Sequence, residues 1–284
     1  MRFSLVLCTV GRIAEVGRMM GSLAAQTLRD FEVIVVDQNE DARLAHVMEQ
    51  YRERMNVRVI RSAPGLSRAR NTGLPHCAGE ILGFPDDDCW YPPHLLETVS
   101  RNFDARPDIG FLTGRWQYAD GRDAFGRWPA RGRYVSVDHV WTRAISFTIF
   151  LRRQAAERIG PFDEQLGVGA GTPWGAGEET DYLLRALECG IRGWHDPACI
   201  VYHPDPVPTV NERTLARALS YGRGTGYVLR KHASSPRMIL RALGRPLAGA
   251  ALAAAMLRWP LARQRLLVLK GRWVGLTHRP HSGD

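Results

Sequence analysis

The chain is predicted to be an α/β protein with a mainly parallel central sheet and flanking helices, followed by a basic helical segment. Three observations carry that expectation. Short β-rich runs alternate with helical patterns through the first half. Polar residues gather where those runs end, and the charge changes sign along the chain. The 284 residues carry a net charge of +9, but residues 213–284 hold 14 Arg and Lys against one acid, Asp284, a balance of +13 that leaves 9 − 13 = −4 for residues 1–212. A composition of 45% hydrophobic and 24% charged residues is globular and sets aside disordered and fibrous classes.

The elements follow in order. Residues 3–8, 31–36, 57–60 and 81–84 read as strands, with helices over 14–25, 42–54 and 67–76 between them. Such alternation implies right-handed βαβ units, whose ligands collect beyond the carboxyl ends of the strands. Thr9, Asp37 and the triplet Asp86, Asp87, Asp88 stand at those ends. Pro92 and Pro93 suit the first turn of a helix over 95–103, and 109–113 reads as a strand. Residues 114–143 read as a hairpin or loop excursion, 145–151 as a strand, 154–159 as a short helix and the Gly-rich 167–177 as a mobile loop. A helix over 178–189 and a basic helical tail over 211–231 and 236–274 complete the chain.

The opening MRFSLVLCTVGR alternates like a strand and has no h-region or cleavage site, so no secretory signal is expected. Five scattered cysteines without CxxC spacing argue against a disulfide framework or structural zinc, and a reducing cytoplasm is the expected compartment.

Four motifs could carry chemistry. Three consecutive aspartates after an apolar strand repel one another and call for a cation. Magnesium or manganese suits carboxylate oxygens and leaves room for substrate phosphates, although a solvated acidic turn before a helix explains the same pattern. In Gly65-Leu66-Ser67-Arg68-Ala69-Arg70-Asn71-Thr72-Gly73, Ser67 can cap a helix whose Arg68, Arg70 and Asn71 face a nucleotide; alternatively the arginines are solvated. Trp174-Gly175-Ala176-Gly177-Glu178-Glu179-Thr180-Asp181 runs a glycine hinge into a helix with three acids. If Leu183, Leu184, Leu187 and Ile191 mark its buried face, Glu178 lies nearly opposite, and Glu179 and Asp181 flank it, better placed to enter a cleft. Val201-Tyr202-His203-Pro204 delivers a histidine that is structural or completes a metal or pyrophosphate site.

Taken in order, FSLVLCTVGR, VIVVDQNED, GLSRARNTG, FPDDDCWYPP and GEETDYLLRA resemble the inverting glycosyltransferase family 2, of the GT-A fold, over about residues 2–203. The resemblance implies a GT-A catalytic domain over 1–205 and a basic helical extension over 206–284. It implies that Thr9 and Asp37 line the nucleotide pocket, that Arg68, Arg70, Asn71 and Asp87 serve the nucleotide and its phosphates, and that Asp86 and Asp88 take the DxD positions. Asp88 is then the more direct ligand of Mn2+ or Mg2+, with His203 beside it. Glu179 stands where that family has its base, with Asp181 and Glu178 as alternatives. Gln38 and Cys89 replace acids common in the family. The implied reaction is metal-dependent single displacement from a nucleotide-sugar, UDP-sugars being commonest, to an acceptor hydroxyl in a cell-surface glycan or lipid-linked oligosaccharide, with the Gly-rich loop as a lid. A sugar nucleotidyltransferase and an inactive GT-A-like binder of membrane or nucleic acid are the rivals; a dehydrogenase is disfavoured because no GxGxxG follows the first strand.

The tail invites two readings. Its Arg and Lys, with leucines such as Leu247, Leu252 and Leu257, suit an anionic membrane surface at the inner face of the cell membrane; equally, the leucines could pack on the catalytic domain or on a second subunit. Its longest apolar run, residues 247–257, is too short to span a bilayer, and no nucleic-acid partner is expected.

Overall fold

A computed structural model describes residues 1–124, 128–205 and 209–278. Eight strands form one sheet in the order β3-β2-β1-β4-β7-β5-β8-β6. β1 (Phe3–Thr9) and β2 (Phe31–Asp37) are buried at every position, which is why their sequences are near-continuous apolar runs rather than alternating ones. They pair in parallel from Phe3↔Phe31 to Thr9↔Asp37, so Thr9 and Asp37 emerge side by side. β3 (Asn56–Arg61) adds Arg61 opposite Asp37. β4 (Ile81–Gly83) flanks β1 on its other side, and a further parallel bridge, Cys8↔Asp86, brings the aspartates to the same edge.

The far half of the sheet is mixed. β7 (Ile149–Arg152) runs antiparallel to both β4 and β5 (Ile109–Gln117), whereas β5 pairs in parallel with β8 (Arg192–Tyr202). The two-residue β6 (Arg133–Tyr134) closes the edge against β8. Three of these differ from the sequence expectation. β5 runs on to Gln117, past its expected end at 113. Residues 146–148 form a 3-10 turn before β7. β8 begins at Arg192, well before the apolar stretch that advertises it.

Helices cover the sheet through apolar faces at i, i+3, i+4 and i+7 spacing. In α1 (Ala14–Ala24) these are Val16, Met19, Met20 and Leu23, and α4 (Leu95–Ala105) contributes Leu95, Leu96, Val99 and Phe103 to the same core. α2 (Ala45–Arg52) and α3 (Leu66–Gly73) join the first strands, α5 (Val137–Arg143) lies within the excursion after β5, and α6 (Arg153–Ile159) follows β7. α2 starts three residues later than its sequence pattern suggests, at Ala45.

The chain divides into two compact units. The first comprises Met1–Pro64, Arg68–Phe162 and Tyr182–Pro206, and holds the sheet. The second comprises Gly65–Ser67, Asp163–Asp181 and Val207–Asp284, and so combines the tail with the Gly-rich stretch and the first turn of α7 (Glu178–Glu188).

Within the second unit, α8 (Glu212–Lys231) opens on an Asn211–Thr214 capping box. The tail is two helices, α9 (Pro236–Ala255) and α10 (Trp259–Thr277), separated at Leu257, which adopts a positive φ of 57°. α8 and α10 touch backbone to backbone. A Cβ on Gly222 or Gly226 would strike the α10 main chain, and one on Gly271 or Gly275 would strike that of α8. The small-xxx-small pattern therefore appears on both partners. The stretch expected to be a mobile loop is laid on α8: Trp174 is buried and stacks on Tyr227, and Gly175 and Gly177 sit against Ser220 and Val228.

Candidate nucleotide and catalytic sites

In the first unit, parallel register gathers the polar ends of β1, β2, β3 and β4. Asp37, buried, accepts from the backbone N–H and side-chain amide of Asn39 at 2.9 and 2.7 Å, an Asx turn that fixes the loop after β2. Asn39 in turn accepts from the Gly11 N–H at 2.7 Å, tying that loop to the one after β1. The Arg61 guanidinium lies 3.1 Å from the second Asp37 oxygen.

The three aspartates are held differently. Thr9 Oγ1 donates to Asp87 at 2.7 Å, and Arg12 spans two carboxylates, reaching Asp87 at 2.6 Å and Asp88 at 2.5 Å. Burial raises the Asp87 carboxyl above its ordinary value despite the Thr9 and Arg12 contacts. Burial would raise Asp88 also, but the hydrogen bond and charge of His203, together with Arg12, outweigh it and hold Asp88 at about 2. His203 Nε2 lies 3.3 Å from Asp88, and the pairing raises the imidazole above its ordinary value even though burial opposes this.

His203 is firmly oriented. Its Nδ1 donates to the Pro204 carbonyl at 2.8 Å, and its ring stacks on Phe147 at 5.4 Å with Trp116 edge-on at 5.0 Å. With Nδ1–H committed to a carbonyl, Nε2 is the atom offered toward Asp88, the arrangement that commonly orients a ligating histidine. Among the described residues no group of three or more His, Cys, Asp or Glu gathers as a metal cage. A carboxylate and an imidazole nitrogen side by side nevertheless fit an ion of the manganese or magnesium type, which takes its remaining oxygens from water and phosphate.

Asp86 faces Ser146, whose hydroxyl lies 3.3 Å away, and the Arg70 guanidinium at 3.6 Å. Arg70 is only 2% exposed, so it is not a solvated helix arginine; it lies near the rings of Phe84 and Phe162 at 5.8 and 5.2 Å. Arg68 is exposed and donates to the Pro64 carbonyl. Asn71 exchanges two hydrogen bonds with the Phe162 backbone, at 2.9 and 2.8 Å, so its amide clamps chain to chain. Arg12, Asn39, Arg61 and Ser146 are members of this edge that sequence reasoning missed.

In the second unit the three acids of α7 part company. Glu178, expected on the solvent side, is buried, because residue 167 packs over it: Gly167 at φ 103° lies where a Cβ would come 3.3 Å from the Glu178 carboxyl. Asp181 is fully buried and meets Lys231 Nζ at the end of α8 and His232 Nε2 just beyond it, each at 2.9 Å; Lys231 also reaches Asp163 at 2.6 Å. Glu179 is half-buried.

A mixed sheet whose parallel half carries a buried Asp37 and an acidic triplet next to a histidine at its carboxyl edge places the chain among open-sheet α/β proteins, whose ligands collect at that edge. More narrowly, the glycosyl transferase family 2 pattern matches residues 4–160, over half of the chain, and the chain belongs to that family. An uncharacterized glycosyltransferase of Haemophilus influenzae is 33% identical over 111 residues, 38% of this chain and 37% of that protein. The mannosyltransferase PcManGT from Pyrobaculum calidifontis, solved with GDP-Man and Mn2+, is similar in fold with a TM-score of 0.66 at 17% identity, over 97% of this chain and 87% of that one. TarS 1-349 of S. aureus, solved with UDP-GlcNAc, gives 0.63 at 18% identity, over 96% and 91%. The first curated relatives are matched over only 37%, 54% and 59% of their own length.

Proposed function

We propose that the chain transfers a sugar, with inversion, from a nucleoside-diphosphate sugar to an acceptor hydroxyl on a glycan or lipid-linked saccharide. The observation that carries this reading is the Asp88–His203 pair at the sheet edge where Thr9 and Asp37 also end. The donor class is supported by two proteins of similar fold, solved with UDP-GlcNAc and with GDP-Man. Asp37, with Asn39 and Arg61, is the element for the nucleoside, and a UDP-sugar is the donor to test first.

Asp88 and His203 would hold the divalent ion, with Asp86 alongside, and when bound the ion supplies positive charge for the departing diphosphate. Arg12 and Arg70 add fixed positive charge to the same edge, and Thr9 positions Asp87. Glu179 accepts the proton of the acceptor hydroxyl as its oxygen bonds to the anomeric carbon and the carbon–oxygen bond to the diphosphate breaks. Glu178 and Asp181 are poorer bases: the first is packed under residue 167, and the second already holds Lys231 and His232.

Glu179→Gln tests the assignment. It is expected to lower kcat by roughly 10²–10⁴-fold, the usual contribution of a general base, while donor affinity stays within error. Turnover at the parent rate would remove Glu179 from the role.

A further inference from the structure

The large apolar side chains exposed in the second unit concentrate on α9, α10 and the turn joining them. Leu240, Leu257, Trp259 and Trp273 are 72%, 74%, 63% and 57% exposed, and Leu247, Leu252, Met256 and Leu266 join them. Patches of this kind mark interaction surfaces.

α10 has an ordered exposed face. Trp259, Arg263, Leu266, Lys270 and Trp273 recur at alternating steps of four and three residues, which at 3.6 residues per turn places them in one stripe. All five are exposed. The other side of the helix, at Gly271 and Gly275, is the one pressed against α8. α10 is thus apolar on two separate faces, one filled by α8 and one left exposed, and the second is interleaved with positive charge, of which Arg263 lies 3.5 Å from the exposed Glu212 at the start of α8. Interfacial helices have this character: indoles at headgroup depth, and basic chains that lay their stems on the apolar layer and lift their charges to the lipid phosphates.

We propose that the α9–α10 hairpin lies in the headgroup layer of an anionic bilayer, with the Trp259–Trp273 face of α10 and the Met256–Leu257 turn toward the lipid. Charge selects this occupant. Residues 213–284 carry +13, and their one acid is Asp284 at the chain end, so a second copy of the same surface would be repelled. α9 is long and apolar enough to cross a membrane by length and composition, which its unbroken apolar run of 11 residues did not suggest. Arg241 and Arg245 near its middle, and Arg263, Arg265, Lys270 and Arg272 on its hairpin partner, favour lying in the interface over crossing it. On this reading the protein works at the anionic inner face of the cell membrane. The surface is inferred independently of the transfer chemistry.

The test is flotation of the full chain with vesicles of phosphatidylcholine alone or mixed with phosphatidylglycerol, at low and high salt. The chain is expected to float with the anionic vesicles only, and less at high salt. Arg263→Glu with Lys270→Glu should reduce the bound fraction by roughly tenfold or more, since each basic residue near the surface contributes appreciably. Trp259→Ser with Trp273→Ser should weaken binding and remove quenching of the tryptophan emission by brominated lipid. All four positions are exposed, and circular dichroism checks that each variant folds. Absence of flotation at low salt, or undiminished flotation of both variants, would overturn the proposal. So would a stable dimer by sedimentation that Trp259→Ser with Trp273→Ser dissolves, which would give the face to a second copy.

Discussion

Acid should unfold the sheet domain through two histidines that lie away from the proposed chemistry. His195 on β8 is fully buried and His139 on α5 nearly so, their rings 4.7 Å apart, with Trp128 stacked on His195 at 5.8 Å. Neither Nε2 has a hydrogen-bond partner among the described residues. Burial first, then repulsion from neighbouring positive charge, lowers both from 6.5 to about 4. Between those values the unfolded chain binds protons that the folded chain refuses, so stability falls as pH drops from 6.5 toward 4 and is unaffected by these rings well above 6.5. Integrating the linkage relation for one such ring gives a loss of about 2 kcal/mol at pH 5 and about 3 kcal/mol at pH 4. A domain stable by roughly 5–15 kcal/mol feels the two together. Urea unfolding of the parent and of His139→Phe, from pH 7.5 to 5, measures the effect. His139 makes no side-chain hydrogen bond among the described residues, so the substitution removes the titrating group with little else, and the stability difference between the two proteins should shift by about 2 kcal/mol over that range. Parallel curves for the two proteins would refute the reasoning.

Asp88→Asn and His203→Ala should each lower melting without ligand, because the contacts among Asp88, His203 and Arg12 are lost, and each should abolish the further rise that UDP with Mn2+ produces in the parent; a rise retained in both variants, measured from each variant's own unliganded melting temperature, would remove the pair from metal binding. Arg70→Met takes away the cation between Asp86 and two rings, and because Asp86 keeps some solvent contact the cost should be about 2–3 kcal/mol by denaturant unfolding, below that of a fully buried pair. Gly226→Leu drives a side chain into the α10 backbone and should separate α10 from α8, detected as proteolysis of the tail at residues that resist it in the parent.

Different parts of this architecture were legible to different degrees. β1 and β2 are visible because strands covered on both faces must be apolar throughout, and the polar residue that ends each is the one that enters the site. His203 is visible for a similar reason, as a histidine delivered by an apolar run. Arg12 and Asn39 were not, since their roles depend on the register that sets the loops after β1 and β2 against each other. The Asp37-Gln38-Asn39 spacing of an Asx turn was the available signal for Asn39. Residues 146–148 carry a strand-like pattern but turn, with Ser146 facing Asp86 and the Phe147 carbonyl accepting from Tyr91, contacts made across 60 and 56 residues of chain. Glu178 was placed on the wrong face because a helical projection of α7 alone omits Gly167, the backbone that covers it. Residues 236–274 read as one helical stretch, although Pro260, which the structure places in the first turn of α10, was the available signal of the break at Leu257.

The strand order constrains how this protein comes into being on the ribosome. β4, which leads into the aspartates, is three residues long and gains its second neighbour only from β7, whose partner residues Phe150 to Arg152 are made long after Ile81 to Gly83 and are laid down in the opposite direction. His203 arrives later still, after β8. A nascent chain that has emerged only through the acidic triplet exposes an open strand edge with no mate, and the acidic edge matures only after most of the sheet has been made.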